Sequence, residues 1–341
     1  MRIAVCYNQT PEKIRRGEAR DLIADAGSAD EANAVLQALL ALGHQAELLP
    51  LVDDLADFIR RLGDYGPELV FNLCEGFWGD ARQEMNVAGV FEMLGIPFTG
   101  SSALVLGLTQ DKVLTKSLLK QKGLSTPAYV LVGLDETAPT FENLKFPLIV
   151  KPAHEDASQG IEHQSVVENR RALLRRVKYV HQTYRQPALV EEYIEGRELN
   201  VTVLGHSKPK VLPISEILFD PSLPRAMVCF DSKWSPESAA YKGTRPQCPA
   251  ELSAREQLLV NLVAMHAFKL LGCRDYARVD IRLRNFSAYI LEINANPDIS
   301  PEAGVARSAA AEGLSYVQLI ERILKSASKR KEVSHANPEK K

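Results

Sequence analysis

The chain has 341 residues, 45% of them hydrophobic and 25% charged, with a formal net charge of -2. That is ordinary globular composition, with length for two or three domains and a core that needs no covalent staples. The balance of charge gives no sign of nucleic-acid or membrane attraction, no segment approaches the ~20 apolar residues of a membrane span, and five cysteines without metal-type spacing point to a reducing, cytoplasmic setting.

Residues 3–7 read as a buried strand, with an apolar run too short for a secretory signal. Ser28-Ala29-Asp30-Glu31 has the form of a capping box, and Val35, Leu36, Leu39, Leu40 and Leu42 follow at helical spacing as far as Gly43. A strand at 46–49, a helix near 55–62, a strand at 69–72 and a helix ending at Leu94 before Gly95 continue the alternation. It predicts a parallel sheet covered by helices. After Gly100-Ser101-Ser102 comes a helix over about 111–122, stopped by Gly123, then strands at 129–132 and 147–151. The last third is strand-rich up to a long helix near 251–271. A hairpin of strands 277–284 and 288–294 turns at Arg284-Asn285-Phe286-Ser287, and a helix covers about 316–326. Residues 329–341 hold Lys329-Arg330-Lys331 and Lys340-Lys341 with almost no apolar residue, the composition of a disordered basic tail.

The hairpin carries the strongest chemical signal. Arg278 and Asp280 are two apart on one strand, and Glu292 and Asn294 two apart on the next, so each pair shares a face. Val279, Ile281, Leu291 and Ile293 are expected on the other face. Facing pairs would bring together two carboxylates and an amide oxygen, an all-oxygen set that suits Mg²⁺, or Mn²⁺ in its place. Arg282 and Arg284 continue the same face, so a half-buried hairpin with a polar solvent side is a serious competing reading of the spacing. In Phe146-Pro147-Leu148-Ile149-Val150-Lys151-Pro152 an apolar strand delivers a lysine to a small, polar loop. Such a lysine can meet a phosphate or simply mark where the strand reaches water. Neither common glycine-rich phosphate loop is present. Glu191, Glu192, Glu195 and Glu198 surround a turn, where they could accept from an adenine amino group and a ribose hydroxyl or form a charged hairpin edge.

In this order, these segments resemble the ATP-grasp superfamily, and within it the D-alanine–D-alanine ligases. The resemblance covers roughly residues 68–325 and rests on Leu94-Gly95-Ile96-Pro97-Phe98-Thr99-Gly100-Ser101, Gln110-Asp111-Lys112 with Thr115-Lys116, Val150-Lys151-Pro152, the acidic turn, Ala277-Arg278-Val279-Asp280 and Leu291-Glu292-Ile293-Asn294. It implies an α/β chain, α+β towards its C-terminal part. An N-terminal parallel α/β (pre-ATP-grasp) domain over 1–102 would precede an ATP-grasp fold of two halves, 103–188 and 189–328. It implies ATP held by Lys112, Lys151 and Lys233, by the backbone of Ser158 in a covering loop, by Glu191 and Glu198, and by the backbone near Glu192 and Ile194. Asp280, Glu292 and Asn294 would bind magnesium, and Arg278 and Lys233 would be catalytic, Arg278 stabilising the charge of the transferring phosphoryl group. The implied activity is ADP-forming ligation of a carboxylate to an amine through an acyl phosphate. Substrates would be amino-acid-like small molecules and the enzyme a homodimer.

The departures gather where the family recognises D-alanine. Tyr7-Asn8-Gln9-Thr10-Pro11 replaces Gly-Gly-x-Ser-x-Glu, and Ala157 replaces the first serine of a loop pair. Trp234 replaces the tyrosine that bonds that serine, Ala303 a serine of the substrate pocket, Glu75 a histidine, and Asp298 a glycine. Their joint change predicts a carboxylate substrate other than plain D-alanine, with Glu75 and Asp298 facing an added amine or polar group and Trp234 stacking on it. The competing expectations are a true D-alanine–D-alanine ligase and a nucleotide-binding protein without catalysis. Blandest is an α/β module that binds a sugar or amino acid without ATP.

Overall fold

The computed structural model describes residues 1–9, 17–21, 27–136 and 139–330. Its first unit alternates β1 (Arg2–Asn8), α1 (Ser28–Ala41), β2 (Gln45–Leu51), α2 (Leu55–Tyr65) and β3 (Leu69–Leu73), and the strands pair in parallel in the order β2-β1-β3. The two-residue period of β1 explains why both faces are apolar. Ala4 and Cys6 share a core with Phe58 and Leu62 of α2, while Ile3 and Val5 share one with Val35 and Leu39 of α1. The expected helix stops are real: Gly43, Gly95 and Gly123 have φ of 79°, 66° and 74°. The expected capping box is not. Gly27 caps α1 without a side-chain bond, and Glu31 turns inward to accept the Ile299 amide at 2.8 Å.

Three helices follow, α3 (Glu84–Met93), α4 (Ala103–Gln110) and α5 (Lys112–Gln121). The unpredicted α4 is an almost wholly apolar octet that leaves Leu104 exposed, so its sequence lacks the polar stripe that periodicity needs. Asp111 separates α4 from α5 and caps the latter, accepting from the amides of Val113 and Leu114.

A second sheet holds β4 (Tyr129–Val132), β5 (Leu148–Pro152), β6 (Val166–Val167) and β7 (Ala188–Glu192), antiparallel in the order β4-β7-β5-β6. Between β6 and β7 runs α6 (Arg170–Tyr184), also unpredicted; Leu173, Val177, Val180 and Tyr184 are the buried stripe of an otherwise basic helix.

The third unit contains β8 (Arg197–Leu204), β9 (Lys210–Val211), β10 (Ser215–Phe219), short helices α7 (Phe230–Trp234) and α8 (Ala239–Lys242), β11 (Thr244–Gln247), α9 (Ala254–Leu271), β12 (Tyr276–Arg284), β13 (Ser287–Asn294), α10 (Gly304–Ala311) and α11 (Tyr316–Ser328). Its antiparallel sheet runs β11-β10-β8-β12-β13, with β9 beside β8. The β12–β13 turn uses Asn285 and Phe286 at φ of 49° and 57°, the left-handed pair that a two-residue hairpin loop requires. The expected tail begins too early. Arg330 pairs with fully buried Asp275 and donates to the Phe98 carbonyl, which ties the end of α11 to the first unit. Residues 331–341, with Lys331, Lys340 and Lys341, lie outside the described residues, as do Thr10 and Pro11.

Candidate active site

A cleft of about 1920 Å³ opens where the three units meet, with Lys151, Glu191, Glu198, Asn200, Lys233, Arg278, Asp280, Glu292 and Asn294 in one part of its wall and Glu31, Glu75 and Asp298 in another. That exceeds the ~300–1,000 Å³ of an ordinary small-molecule pocket, so two substrates fit at once.

The hairpin register settles how its polar pairs stand. Arg278 lies opposite Asn294 and Asp280 opposite Glu292. β8 adds Asn200 opposite Asp280 and Glu198 opposite Arg282. The Arg278 guanidinium grips Asp280 through two bonds, Nε to Oδ1 at 2.7 Å and Nη2 to Oδ2 at 2.8 Å, and Asn200 Nδ2 adds a third at 2.7 Å. The register shifts after Asp280, so that Ile281 pairs with Ile290 and Leu291 is bulged out. Leu291 therefore lines the cleft instead of joining Val279, Ile281 and Ile293 in the core, as alternation had implied. Arg282, which had counted towards a solvent-facing side, is buried and bonds Glu198 at 2.5 Å and the Gly196 carbonyl at 2.8 Å; only Arg284 is exposed.

Lys151 leaves β5 buried, with Nζ 3.0 Å from Glu191 Oε2. Glu191 Oε1 meets Lys116 Nζ at 2.9 Å. Glu191, expected beside adenine or ribose, is thus the shared counter-ion of two lysines. Burial alone would raise its pKa, but Lys116 and Lys151 overcome that and lower it. Lys116 had no assigned role, although it stands one helical turn after Lys112, where i and i+4 share a face. Burial lowers Lys116 to about 8 against the pull of Glu191, and its Nζ also bonds Thr126 Oγ1 and the Leu291 carbonyl, both at 2.8 Å.

Lys112 departs from expectation too. Its ammonium donates to the Glu155 carbonyl at 2.8 Å and to Asp156 Oδ1 at 3.0 Å, behind Glu292 rather than in the cleft wall. At the first residue of α5 it therefore pins the loop that follows β5. In that loop Ala157 and Ser158 have φ of 52° and 63°, a strained pair of left-handed residues facing the cleft. Trp234, expected to stack on a substrate, lines the cleft and donates its indole N–H to the Ala157 carbonyl at 3.1 Å. A backbone acceptor makes the Ala157 side chain irrelevant to that loop-to-loop bond.

Lys233 retains solvent contact inside the cleft, yet its crowded surroundings and then Arg278 lower its pKa. Glu192 accepts the Lys145 amide at 3.2 Å, and Ile194 is a buried member of the wall. Burial raises the pKa of Glu198 despite Arg282. Glu292 goes the other way: burial opposes ionisation, but Lys112, Lys151, Arg278 and Lys233 hold it down to about 2. Glu292, ionised at neutral pH and opposite Asp280, with the Asn294 amide oxygen one strand pair on, fits a hard divalent cation that completes its shell with water and phosphate. Among the described residues no group of three or more His, Cys, Asp and Glu side chains could hold a metal alone, so phosphate oxygens would have to supply part of that shell.

Two antiparallel sheets closing on a cleft, one bearing buried lysines and the other a carboxylate hairpin, define an ATP-grasp ligase. Residues 118–325 match the family model described as D-ala D-ala ligase C-terminus. The chain is 36% identical over 308 residues to the uncharacterized protein y4sG of Sinorhizobium fredii, covering 88% of each. It is 32% identical over 302 residues to the D-alanine–D-alanine ligase of Carboxydothermus hydrogenoformans, covering 86% of this chain and 90% of that one. Its fold superposes with a TM-score of 0.75 at 24% identity on the D-alanine–D-alanine ligase of Bacillus anthracis complexed with ATP, over 96% of this chain and 97% of that one. The chain belongs to the D-alanine–D-alanine ligase family and is an ATP-dependent ligase acting on small molecules.

Proposed function

We propose that this enzyme uses Mg²⁺-bound ATP to turn a carboxylate into an acyl phosphate, which an amine then attacks to form an amide, and that the carboxylate substrate is not plain D-alanine. The observation that carries the first part is the register of Asp280 opposite Glu292, facing cationic side chains across one cleft. A carboxylate resists attack by an amine because its oxygen leaves poorly; phosphorylation gives it a good leaving group.

Asp280, Glu292 and Asn294 would hold the metal. When bound it neutralises phosphate charge and aligns the transferred group. Lys151 and Lys233 act on the phosphates as point charges, and Arg278 reaches the developing negative charge while held flat by Asp280. Lys112 and Trp234 hold the loop of Ala157 and Ser158 over the reacting atoms, where it excludes water from the acyl phosphate. Glu198, positioned by Arg282, and the chain at Glu192 and Ile194 receive the nucleoside. Family membership further supports a homodimer working in the cytoplasm, organised over 1–102, 103–188 and 189–328.

The altered-substrate part rests on Glu75, Ala157, Trp234, Asp298 and Ala303 differing together. Purified enzyme with ATP and Mg²⁺ is expected to release ADP in response to an amino acid, and hydroxylamine is expected to trap the activated acid as a hydroxamate. Efficient formation of D-alanyl-D-alanine would reject the altered substrate and leave the ligase chemistry in place. Absence of both ADP and hydroxamate with every acid and amine would reject the chemistry.

A further inference from the structure

Glu31 is a feature of this cleft that the ligase chemistry does not use. It comes from α1, is only 7% exposed, and lines the cleft. Among the described residues it accepts the Ile299 amide at 2.8 Å, next to Asp298, an exposed residue that accepts the Ser300 amide at 2.7 Å. Among the described residues no lysine or arginine pairs with either carboxylate. At the other end Glu191, Asp280 and Glu198 each hold a lysine or arginine. Of the described guanidiniums, Arg278 feels the charge of Asp298 but is gripped by Asp280, and Arg307 donates to the Glu302 carbonyl at 2.7 Å. Burial, then Asp298 and Glu75, push the Glu31 carboxyl well above the usual carboxylate range. A buried carboxylate beside like charges, with a cleft in front of it, is expensive unless a cation arrives from outside.

We propose that the carboxylate substrate is an amino acid whose side chain carries a second cationic group, an ammonium or guanidinium, and that Glu31 and Asp298 are its receptor. This rests on the ligase reading above and names the substrate of that site. The substrate carboxylate goes to the phosphate end, where Arg278 and Lys233 gather positive charge. The α-ammonium of an ordinary amino acid answers one of the two carboxylates; a second cation answers the other. The cleft volume leaves room for a nucleotide and an extended side chain.

The test compares kcat/KM for ADP release with the D and L forms of lysine and ornithine against norleucine and norvaline, which lack the side-chain cation. Cationic acids are expected to win by roughly tenfold or more, the worth of a hydrogen bond between charged groups. Glu31→Gln keeps an acceptor for the Ile299 amide. It and Asp298→Asn are each expected to cut that preference by roughly tenfold while melting no lower than the parent, which a merely structural role would not do. Neutral acids turned over as well as cationic ones, or a preference untouched by both variants, would overturn the proposal and leave the ligase intact. Should no acid release ADP, calorimetry with ATP and Mg²⁺ present decides. Saturable binding of lysine or ornithine, weakened by Glu31→Gln, upholds the receptor while the ligase reading falls; no binding sinks both.

Discussion

The two ends of the cleft treat their carboxylates in opposite ways. At the hairpin end Glu191 is shared by two lysines, Asp280 is locked by Arg278 and Asn200, and Glu198 is held by Arg282. At the α1 end buried Glu31 and exposed Asp298 each accept a backbone amide, and among the described residues neither pairs with a lysine or arginine. The hairpin end is complete before any ligand arrives, as a site must be that stabilises charge without reorganising. The α1 end stores electrostatic tension that a ligand can relieve. The difference teaches that a paired carboxylate marks machinery, whereas an unpaired one marks a place where the missing charge belongs to the substrate.

The largest test of that contrast is Glu292→Gln. It removes a carboxylate from the metal set and is expected to lower kcat/KM for ADP release by about 10³-fold, with saturating Mg²⁺ failing to restore it. Next, Arg282→Ala strands Glu198 in the sheet, and chemical unfolding is expected to show a loss of about 3 kcal/mol. Replacing both residues by leucine should recover most of that loss, since the penalty comes from the orphaned charge rather than from a missing contact.

The contrast is sharpest in a pair of like substitutions with opposite signs. Glu292 has its pKa lowered from 4.5 to about 2, so it stabilises the native state above 4.5 and loses that contribution as pH falls towards 2. Glu292→Gln should therefore melt lower than the parent at pH 7, with the gap closing on acidification. Glu31 has its pKa raised well above 4.5, so the native state binds the proton more tightly and stability declines as pH rises past 4.5. Glu31→Gln should match the parent below pH 4 and melt higher at pH 7. Thermal scans from pH 3 to 8 read both; equal signs would break the comparison. The smallest effect belongs to Trp234→Phe, which deletes the indole bond to Ala157. A lost neutral hydrogen bond is worth about 1 kcal/mol, so the KM for ATP should rise less than about tenfold.

Much of the hairpin end was legible in the sequence, because strand alternation alone puts Arg278 with Asp280 and Glu292 with Asn294. Periodicity could not foresee the bulge that turns Leu291 into the cleft, nor the register that buries Arg282 on Glu198, since both depend on which strands become neighbours. The parallel first sheet followed from alternating buried strands and glycine-stopped helices. Helices α4 and α6 escaped notice, one almost wholly apolar and the other basic around a narrow stripe. Glu31 shows the limit most clearly. Its spacing from Ser28 suggested a local cap, whereas the carboxylate reaches a backbone amide 268 residues away, a contact that only the assembled fold creates.

The most direct test of the ligase claim is a crystal grown with Mg²⁺ and a non-hydrolysable ATP analogue. The expected electron density has magnesium held by Asp280, Glu292 and Asn294, with the nucleotide's phosphates in the same cleft as Lys151. Nucleotide bound elsewhere, or those three side chains left uncoordinated at saturating metal, would contradict the account.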